Sequence, residues 1–411
     1  MATDAKIGAN SGAKIGAVFG QHDPQTLQQL EQVAQNAQRV ALMADGHLGY
    51  VMPIGGVAAY RDKTSVVGVG FDIACGNAAI RTDKTITNFD PAAWNAIADE
   101  IQSTISFGVG RSNRANDAPT DHPLFLDPAW GGVPSKERGK LRARARAQLG
   151  TVGSGNHYVD VFADETGAIW VGVHFGSRGF GHAVASGFLA LSQGKRWGER
   201  APEREVLLDL AAPIGHDYWH LMELAGLYAY AGREWVARKV VDILGAHERE
   251  LVHNHHNFSW KENHEGEELI VVRKGATPAF PNQLSFVGGS MGDDSVILRG
   301  AAGDSDEQRA ALYSTVHGAG RVMSRIAARG KVNRRTGEVK SPGAISWEML
   351  GEWIAEKRVI LRGGGLDEAP QVYRRLPEVL GAQGSTVEVV HRLTPIIVVM
   401  AGENEFDPYK D

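Results

Sequence analysis

An α+β fold, with mixed or antiparallel sheets surrounded by helices, is what this sequence predicts, on three observations. Short apolar, β-branched runs are interspersed irregularly with amphipathic helical patterns, which excludes the regular alternation of a doubly wound sheet. No unit of about 20 to 50 residues repeats, which excludes a solenoid. The 43% apolar content of the 411 residues is enough for a large buried core and excludes a disordered chain.

Taken in order, Asp23-Pro24 supplies an N-cap and a first-turn proline ahead of Leu27, Leu30, Val33, Ala34 and Ala37, predicting a helix over Pro24 to Arg39. Val40 to Met43 and Ser65 to Val69 read as strands. Asp90-Pro91 repeats the capping device before Trp94, Ile97, Ala98 and Ile101, a second helix. Gly108 to Pro134 is rich in Asn, Asp, Pro and Gly and too long for an ordinary connection; it reads as a loop or lid insertion extending over 108–146. Strands are expected at Ile169 to Val173, Leu269 to Val272, Val296 to Leu298 and Ile396 to Val399, the longest helix between Pro213 and Leu244, and a shorter loop over Gly330 to Ser346.

Acidic residues outnumber basic ones, 48 to 43, for a net charge of −5, so a globally basic nucleic-acid binder is excluded. Local basic stretches remain at Lys136 to Arg146 and at Arg321 to Arg335, which carries Arg325, Arg329, Lys331 and Arg334; each also reads as a solvated face or surface loop. No apolar run approaches the roughly 18 residues of a membrane span. The first twenty residues lack a signal-peptide pattern, which leads us to expect a cytoplasmic protein with no membrane partner. The single cysteine, Cys75, excludes an intrachain disulfide and is a candidate for metal binding or catalysis. Fifty glycines, about 12% of the chain against roughly 7% on average, cluster beside polar residues, where backbone must turn tightly or approach a ligand closely.

Those clusters carry the chemistry. Gly70-Phe71-Asp72-Ile73-Ala74-Cys75-Gly76 places a carboxylate and a thiol three residues apart in a glycine-rich turn. A soft thiolate can bridge two ions, and a hard carboxylate suits manganese or magnesium; the plain alternative is a packed cysteine beside a turn-forming Asp. Histidines follow in Gly/Asn/Ser surroundings at Gly153 to His157, His174 to Gly179 and His253 to Asn257, and jointly they favour a metal centre. Ser314 to Arg325 reads as the opening of a helix behind His317 in a glycine-flanked turn, where amides attract anions and Arg321 and Arg325 offer forked donors to phosphate. His317 can then be a nucleophile toward phosphorus, a general acid or an N-cap neighbour. Gly289 to Gly292 and Arg273 to Thr277 are further polar-glycine elements able to hold a nucleotide.

In order along the chain, DGHLG at Asp45, GFDIACG at Gly70, GTVGSGNHYVD at Gly150, HFGSRGFGH at His174, HHN at His255, RKGAT at Arg273, GSMG at Gly289, HGAGRVMSR at His317 and DEAPQVY at Asp367 closely resemble one family. It is the RtcB-type RNA-splicing ligases, which join RNA 3′-phosphate or 2′,3′-cyclic phosphate ends to 5′-hydroxyl ends with GTP and manganese. The resemblance implies one large RtcB-like catalytic domain over 1–411. It implies two manganese ions bridged by Cys75, with Asp72, His157, His174 and His256 as the remaining ligands, and attack of His317 on the α-phosphate of GTP. It places Asn156, Tyr158, Asp160, Ser290, Ser295, Gly318, Ala319, Gly320 and Tyr373 against the nucleotide, with Arg178, Arg321 and Arg325 as candidate RNA contacts. RNA with those ends is the implied substrate, in RNA repair or tRNA splicing, with a helper protein for guanylylation in some members.

The chain departs from the family pattern in four places. Asp160 stands where the guanine-reading carboxylate is usually Glu; Gly232-Arg233 replaces the common Asn-Arg pair; Ala74 replaces a usual glycine. Val399-Met400-Ala401-Gly402 replaces a terminal lysine-glycine, leaving Lys410 or another cation to substitute. These departures keep two alternatives open: a non-ligating RNA-end-binding or regulatory paralogue, and a metal-dependent phosphohydrolase that needs no nucleotide step.

Overall fold

The structure is a computed structural model that describes residues 14–332 and 339–403. Arg334 and Lys410 lie outside those residues. Two larger sheets frame the molecule. The first runs, in spatial order, Leu284–Val287, Ser295–Gly300, Val387–Gly402, Tyr158–Asp164, Ala168–Phe175, Gly76–Thr85 and Glu248–His255, each pair antiparallel. Ile360–Gly364 adds to Val387–Gly402 in parallel. The second sheet runs Lys14–Val18, Arg39–His47, Ile54–Tyr60, Glu267–Lys274 and Asn257–His264, with only its first pair parallel. The expected α+β class with mixed sheets is what the chain adopts.

Burial explains why these runs become strands. Every residue of Ala168–Phe175 is buried, because both faces are covered. Ile169, Val171 and Val173 pack with Val236, Ala237 and Val240 of the Pro213–Ile243 helix, while Trp170 faces Phe162 and Phe286. Between the last two rings only Gly172 fits, since a Cβ there would lie 2.6 Å from Phe162.

Helix starts follow their caps. Asp23 accepts from the amides of Gln25 and Thr26, and Asp90 from that of Ala93. The first helix covers Pro24–Ala34 and stops short of Arg39, because Arg39 already pairs in the second sheet. Ser65 to Val69 is not a strand. Lys63–Ser65 is, and then Ser65 Oγ caps the amide of Gly68 at 2.8 Å and Val66–Val69 turns helical within the core. A short β-branched run buried on every side has no period to tell strand from helix. No helix opens at His317 either: the residue follows the Ser314–Val316 strand directly, and the next helix begins at Arg325. Within 108–146, Pro123–Leu126 and Pro128–Gly132 are 3-10 turns and Ser135–Gln148 is a helix, anchored through Leu124, Phe125, Trp130 and Leu141. Gly330–Val332 and Val339–Pro342 form a small antiparallel pair.

The sheets share a core, where Ala41, Val57 and Val271 of the second pack with Val287, Val296 and Leu298 of the first, and the chain crosses directly between them at one residue. Glu248–His255 belongs to the first sheet and Asn257–His264 to the second, so His256 is the crossover. The amide of His256 donates to the carbonyl of Cys75 at 2.8 Å, and that of Ala74 to the carbonyl of Asn257 at 2.7 Å, which ties the Asp72 to Cys75 turn to the crossover. Gly76 pairs with His255 here, and a Cβ on it would lie 2.2 Å from the Asn254 carbonyl oxygen. Backbone cannot yield as a side chain does, so Gly76→Ala is expected to lose about 1–3 kcal/mol or more of stability, read as a lower urea midpoint with an unchanged slope.

Candidate metal centre and nucleotide cavity

The amide of Cys75 bonds back to the carbonyl of Asp72 at 3.1 Å, so the turn presents carboxylate and thiol together. Ala74 takes a left-handed φ of 60°, the reason glycine suits that position. Gly176 admits the carboxylate: a Cβ on it would sit 2.2 Å from Asp72 Oδ1. His157 enters just before the Tyr158–Asp164 strand, and His174 lies directly across from Tyr158 on Ala168–Phe175.

Around the buried thiol, Cys75 Sγ lies 3.3 Å from His174 Nε2 and 3.6 Å from His157 Nε2, and His157 Nε2 lies 3.1 Å from Asp72 Oδ2. Two donor sets result, Asp72/Cys75/His157 and Cys75/His174/His256, each with its ligand atoms within 4.8 Å of one another and both containing Cys75. His174 Nδ1 sits 2.9 Å from the Asn156 carbonyl and donates to it, leaving Nε2 with its lone pair toward the sulfur. Burial, followed by the nearby His157, lowers the His174 pKa to about 3, and burial pushes that of His256 well below its usual range, so both stay neutral and ligand-competent. Burial also raises the Cys75 thiol, whose proton a bound cation would displace. Nδ1 of His157 and of His256 is buried without a partner. Sulfur, imidazole and carboxylate brought within one another's reach fit transition-metal binding.

Behind this centre stands Arg233, fully buried. Its guanidinium donates to the carbonyls of Ala74 at 2.9 Å and Phe175 at 2.6 Å, to His253 Nε2 at 2.9 Å and to His255 Nδ1 at 2.8 Å. It therefore joins the residue before Cys75, the residue after His174 and the strand leading to His256. Strand alternation explains the histidine triplet: His253 and His255 face Arg233, and His256 faces the thiol. Burial lowers the Arg233 pKa to about 10, which leaves it charged at neutral pH.

A cavity of about 410 Å³ opens onto the thiol and the histidines, with His317 on its wall. His317 Nδ1 lies 2.5 Å from Oδ2 of the fully buried Asp45, too bent for an in-line hydrogen bond, while its ring lies 5.0 Å from that of His256. The same Asp45 oxygen accepts from the amides of His317 at 3.0 Å and Gly318 at 3.3 Å. The amides expected to greet an anion from a helix start are therefore directed at a protein carboxylate. Asn156, Tyr158, Asp160, Ser290, Gly318, Ala319, Gly320 and Tyr373 all line this cavity, as does Met400, which lies across from Tyr158. Ser295 does not; its hydroxyl holds the amide of Gly289 at 3.0 Å from behind. Asp160 Oδ1 and the Tyr158 hydroxyl are buried without partners, and burial pushes both groups well above their usual pKa ranges. Unmet polar atoms on a cavity wall fit a polar ligand such as a nucleotide base.

Arg321 and Arg325 also line the wall but are engaged by protein groups. Arg321 donates to Glu368 at 3.2 Å, to the Tyr373 hydroxyl at 3.0 Å and to the Asp367 carbonyl at 2.8 Å; Arg325 pairs with Asp367 at 3.0 Å and closely with Glu368. In the Arg273 to Thr277 element only Gly275 reaches this cavity; Arg273 is paired with Glu262 at 2.6 Å, and Lys274 donates to the Val67 carbonyl at 3.1 Å. A second cavity, of about 940 Å³, shares Asp72, Asn156, His157 and Arg325 with the first and adds Arg144, Arg178 and Arg200. Of the two basic stretches read from sequence, both reach it, through Arg144 and Arg325.

Sequence reasoning gave no role to Asp45, Arg233 or the Asp367-Glu368 pair. Asp45 and Asp367-Glu368 lay inside quoted motifs, and Arg233 was noted only for its altered neighbour. The available signal for Arg233 was an arginine at a position of the apolar stripe, since Gly232 and Val236 beside it are buried.

The family model described as tRNA-splicing ligase RtcB matches residues 26–130 and 127–401. The chain is 30% identical over 385 residues to the RNA-splicing ligase RtcB of Escherichia coli K12, covering 88% of this chain and 90% of that protein. It is 32% identical over 424 residues to the tRNA-splicing ligase RtcB of Archaeoglobus fulgidus, covering 85% and 83%. It is 31% identical over 439 residues to that of Pyrobaculum aerophilum, covering 87% of each.

Arg233→Met leaves two carbonyls and two imidazoles without their donor, and Arg233→Lys cannot reach all four from one ammonium. Both variants are expected to be destabilised by about 1–3 kcal/mol or more in urea unfolding and to bind metal about 10–100-fold more weakly in equilibrium dialysis.

Proposed function

The chain belongs to the RtcB family of splicing ligases and is an RNA ligase, and on that footing we propose that it joins RNA 3′-phosphate or 2′,3′-cyclic phosphate ends to 5′-hydroxyl ends through a guanylate carried on His317. The observation that carries this reading is the pairing of His317 with buried Asp45 beside the shared thiol. With Nδ1 turned to the Asp45 carboxylate, Nε2 is the nitrogen left to act as nucleophile. The carboxylate also stabilises positive charge on the imidazole as its nitrogen bonds to phosphorus.

His317 Nε2 would bond to the α-phosphorus of GTP as the bond to pyrophosphate breaks. An oxygen of the RNA 3′-phosphate would then take the guanylyl group and release the imidazole. The 5′-hydroxyl would finally attack the activated 3′-phosphorus, expelling GMP and giving up its proton. A cyclic phosphate must first be opened by water to a 3′-phosphate. Asp160 and Tyr158, with unmet polar atoms on the cavity wall, would hold the base, and Asn156, Ser290, Ala319 and Tyr373 the rest of the nucleotide. Ser295 would act from behind the wall. Arg178, with Arg144 and Arg200, would draw the RNA backbone along the second cavity. Arg321 and Arg325, already paired, would order the wall and meet RNA only by sharing those partners.

Asp72, Cys75 and His157 on one side, and Cys75, His174 and His256 on the other, would hold two manganese ions. When bound, these supply positive charge for the triphosphate and the departing pyrophosphate. The reading includes one catalytic domain over 1–411, work in the cytoplasm on broken or spliced RNA, and allows a helper protein for guanylylation. No helix among the described residues is long and apolar enough to cross a membrane.

Incubation with α-labelled GTP and manganese, followed by denaturing electrophoresis, tests the proposal. Wild type is expected to carry the label, and His317→Ala to lose it while keeping its metal content. A wild type that stays unlabelled both alone and in a cell extract able to supply a helper protein would overturn the guanylate pathway.

A further inference from the structure

Away from both cavities, the Pro213–Ile243 helix carries a second pair of converging imidazoles. His216 and His220 are one turn apart and share a face, with side chains 62% and 47% exposed. Their Nε2 atoms lie 3.1 Å apart and their rings meet at 77°. Each opposite nitrogen faces a carboxylate: His216 Nδ1 is 3.5 Å from Asp217 Oδ1, and His220 Nδ1 is 3.3 Å from Glu223 Oε2. A carboxylate at Nδ1 keeps the proton there and leaves Nε2 with its lone pair, the arrangement of histidines that bind metals. Two lone pairs so placed repel each other unless a proton or a cation lies between them.

The separation decides which cation fits. Metal–imidazole bonds of about 2.0–2.1 Å, opened to angles between octahedral and tetrahedral, place two nitrogens roughly 2.9–3.4 Å apart. The observed 3.1 Å falls within that span. We propose that His216 and His220 form a surface chelate for a divalent transition ion of the imidazole-seeking class, Cu²⁺, Ni²⁺ or Zn²⁺, with the remaining positions open to water. The site is distinct from the Cys75 centre, since neither residue lines either cavity. Its chemistry differs too: two neutral nitrogens, without a carboxylate ligand to hold harder ions, discriminate against Mn²⁺, Mg²⁺ and Ca²⁺. An ion count on protein exposed to such metals therefore exceeds what the Cys75 centre holds. The inference does not rest on the ligase reading.

The test is calorimetric titration of tag-free, full-length protein, preloaded with manganese, with Ni²⁺ at slightly alkaline pH. Besides any Ni²⁺ that displaces manganese at the Cys75 centre, wild type is expected to bind one Ni²⁺ that His216→Ala and His220→Ala each weaken at least about tenfold, and that Glu223→Gln weakens by about tenfold through the lost carboxylate. Cys75→Ala should leave this Ni²⁺ in place. Alanine at an exposed helical position favours the helix, so these variants fold. Equal Ni²⁺ binding by wild type and His220→Ala, loss of the site in Cys75→Ala, or no binding at all would mean that the pair merely shares a proton, and would overturn the proposal.

Discussion

A single buried guanidinium, Arg233, holds the reactive centre together. It donates to backbone on both sides of the centre, at Ala74 and Phe175, and to two histidines on the strand that delivers His256. Among the described residues no carboxylate lies within ion-pair reach of it, and its charge is felt at Cys75 and Asp72. A buried cation without a paired anion is costly, and groups that become anionic nearby offset the cost. The carboxylate of Asp72 is one such group, and at Cys75 the guanidinium opposes, without outweighing, the burial that keeps the thiol protonated.

The same economy governs the other wall. Asp45 is buried and faces His317, while accepting from the two amides at the start of that turn. One carboxylate therefore fixes both the position of the turn and which imidazole nitrogen is available. Asp367 and Glu368 do the equivalent for Arg321 and Arg325, holding the first on the wall of the smaller cavity and the second where the two cavities join. Position in this site comes from buried ionic contacts made across the fold, whereas the unmet polar atoms of Asp160 and Tyr158 are left for a ligand.

Motif and period made much of this legible. Helices announced by Asp-Pro begin where expected, and the sheet strands with clear apolar runs are present. The five residues grouped as metal ligands do converge: Asp72, Cys75, His157 and His174 sit in turns or strand ends whose glycines permit close approach, and His256 sits at the crossover between the sheets. The stretch after Ser65 misled because burial on all sides erases periodicity. The turn at His317 misled because its amides meet Asp45, more than 270 positions away in sequence, rather than a helix axis. Arg233 was illegible in role for the same reason: its partners come from three separate segments that only the folded topology brings together.

The account's central claim is that one sulfur serves two metal sites, and anomalous diffraction from crystals of the manganese-loaded protein tests it most directly. The prediction is two peaks, both within bonding distance of Cys75 Sγ, one also touching Asp72 and His157 and the other His174 and His256. A single peak, or a pair of which only one contacts the sulfur, would contradict it.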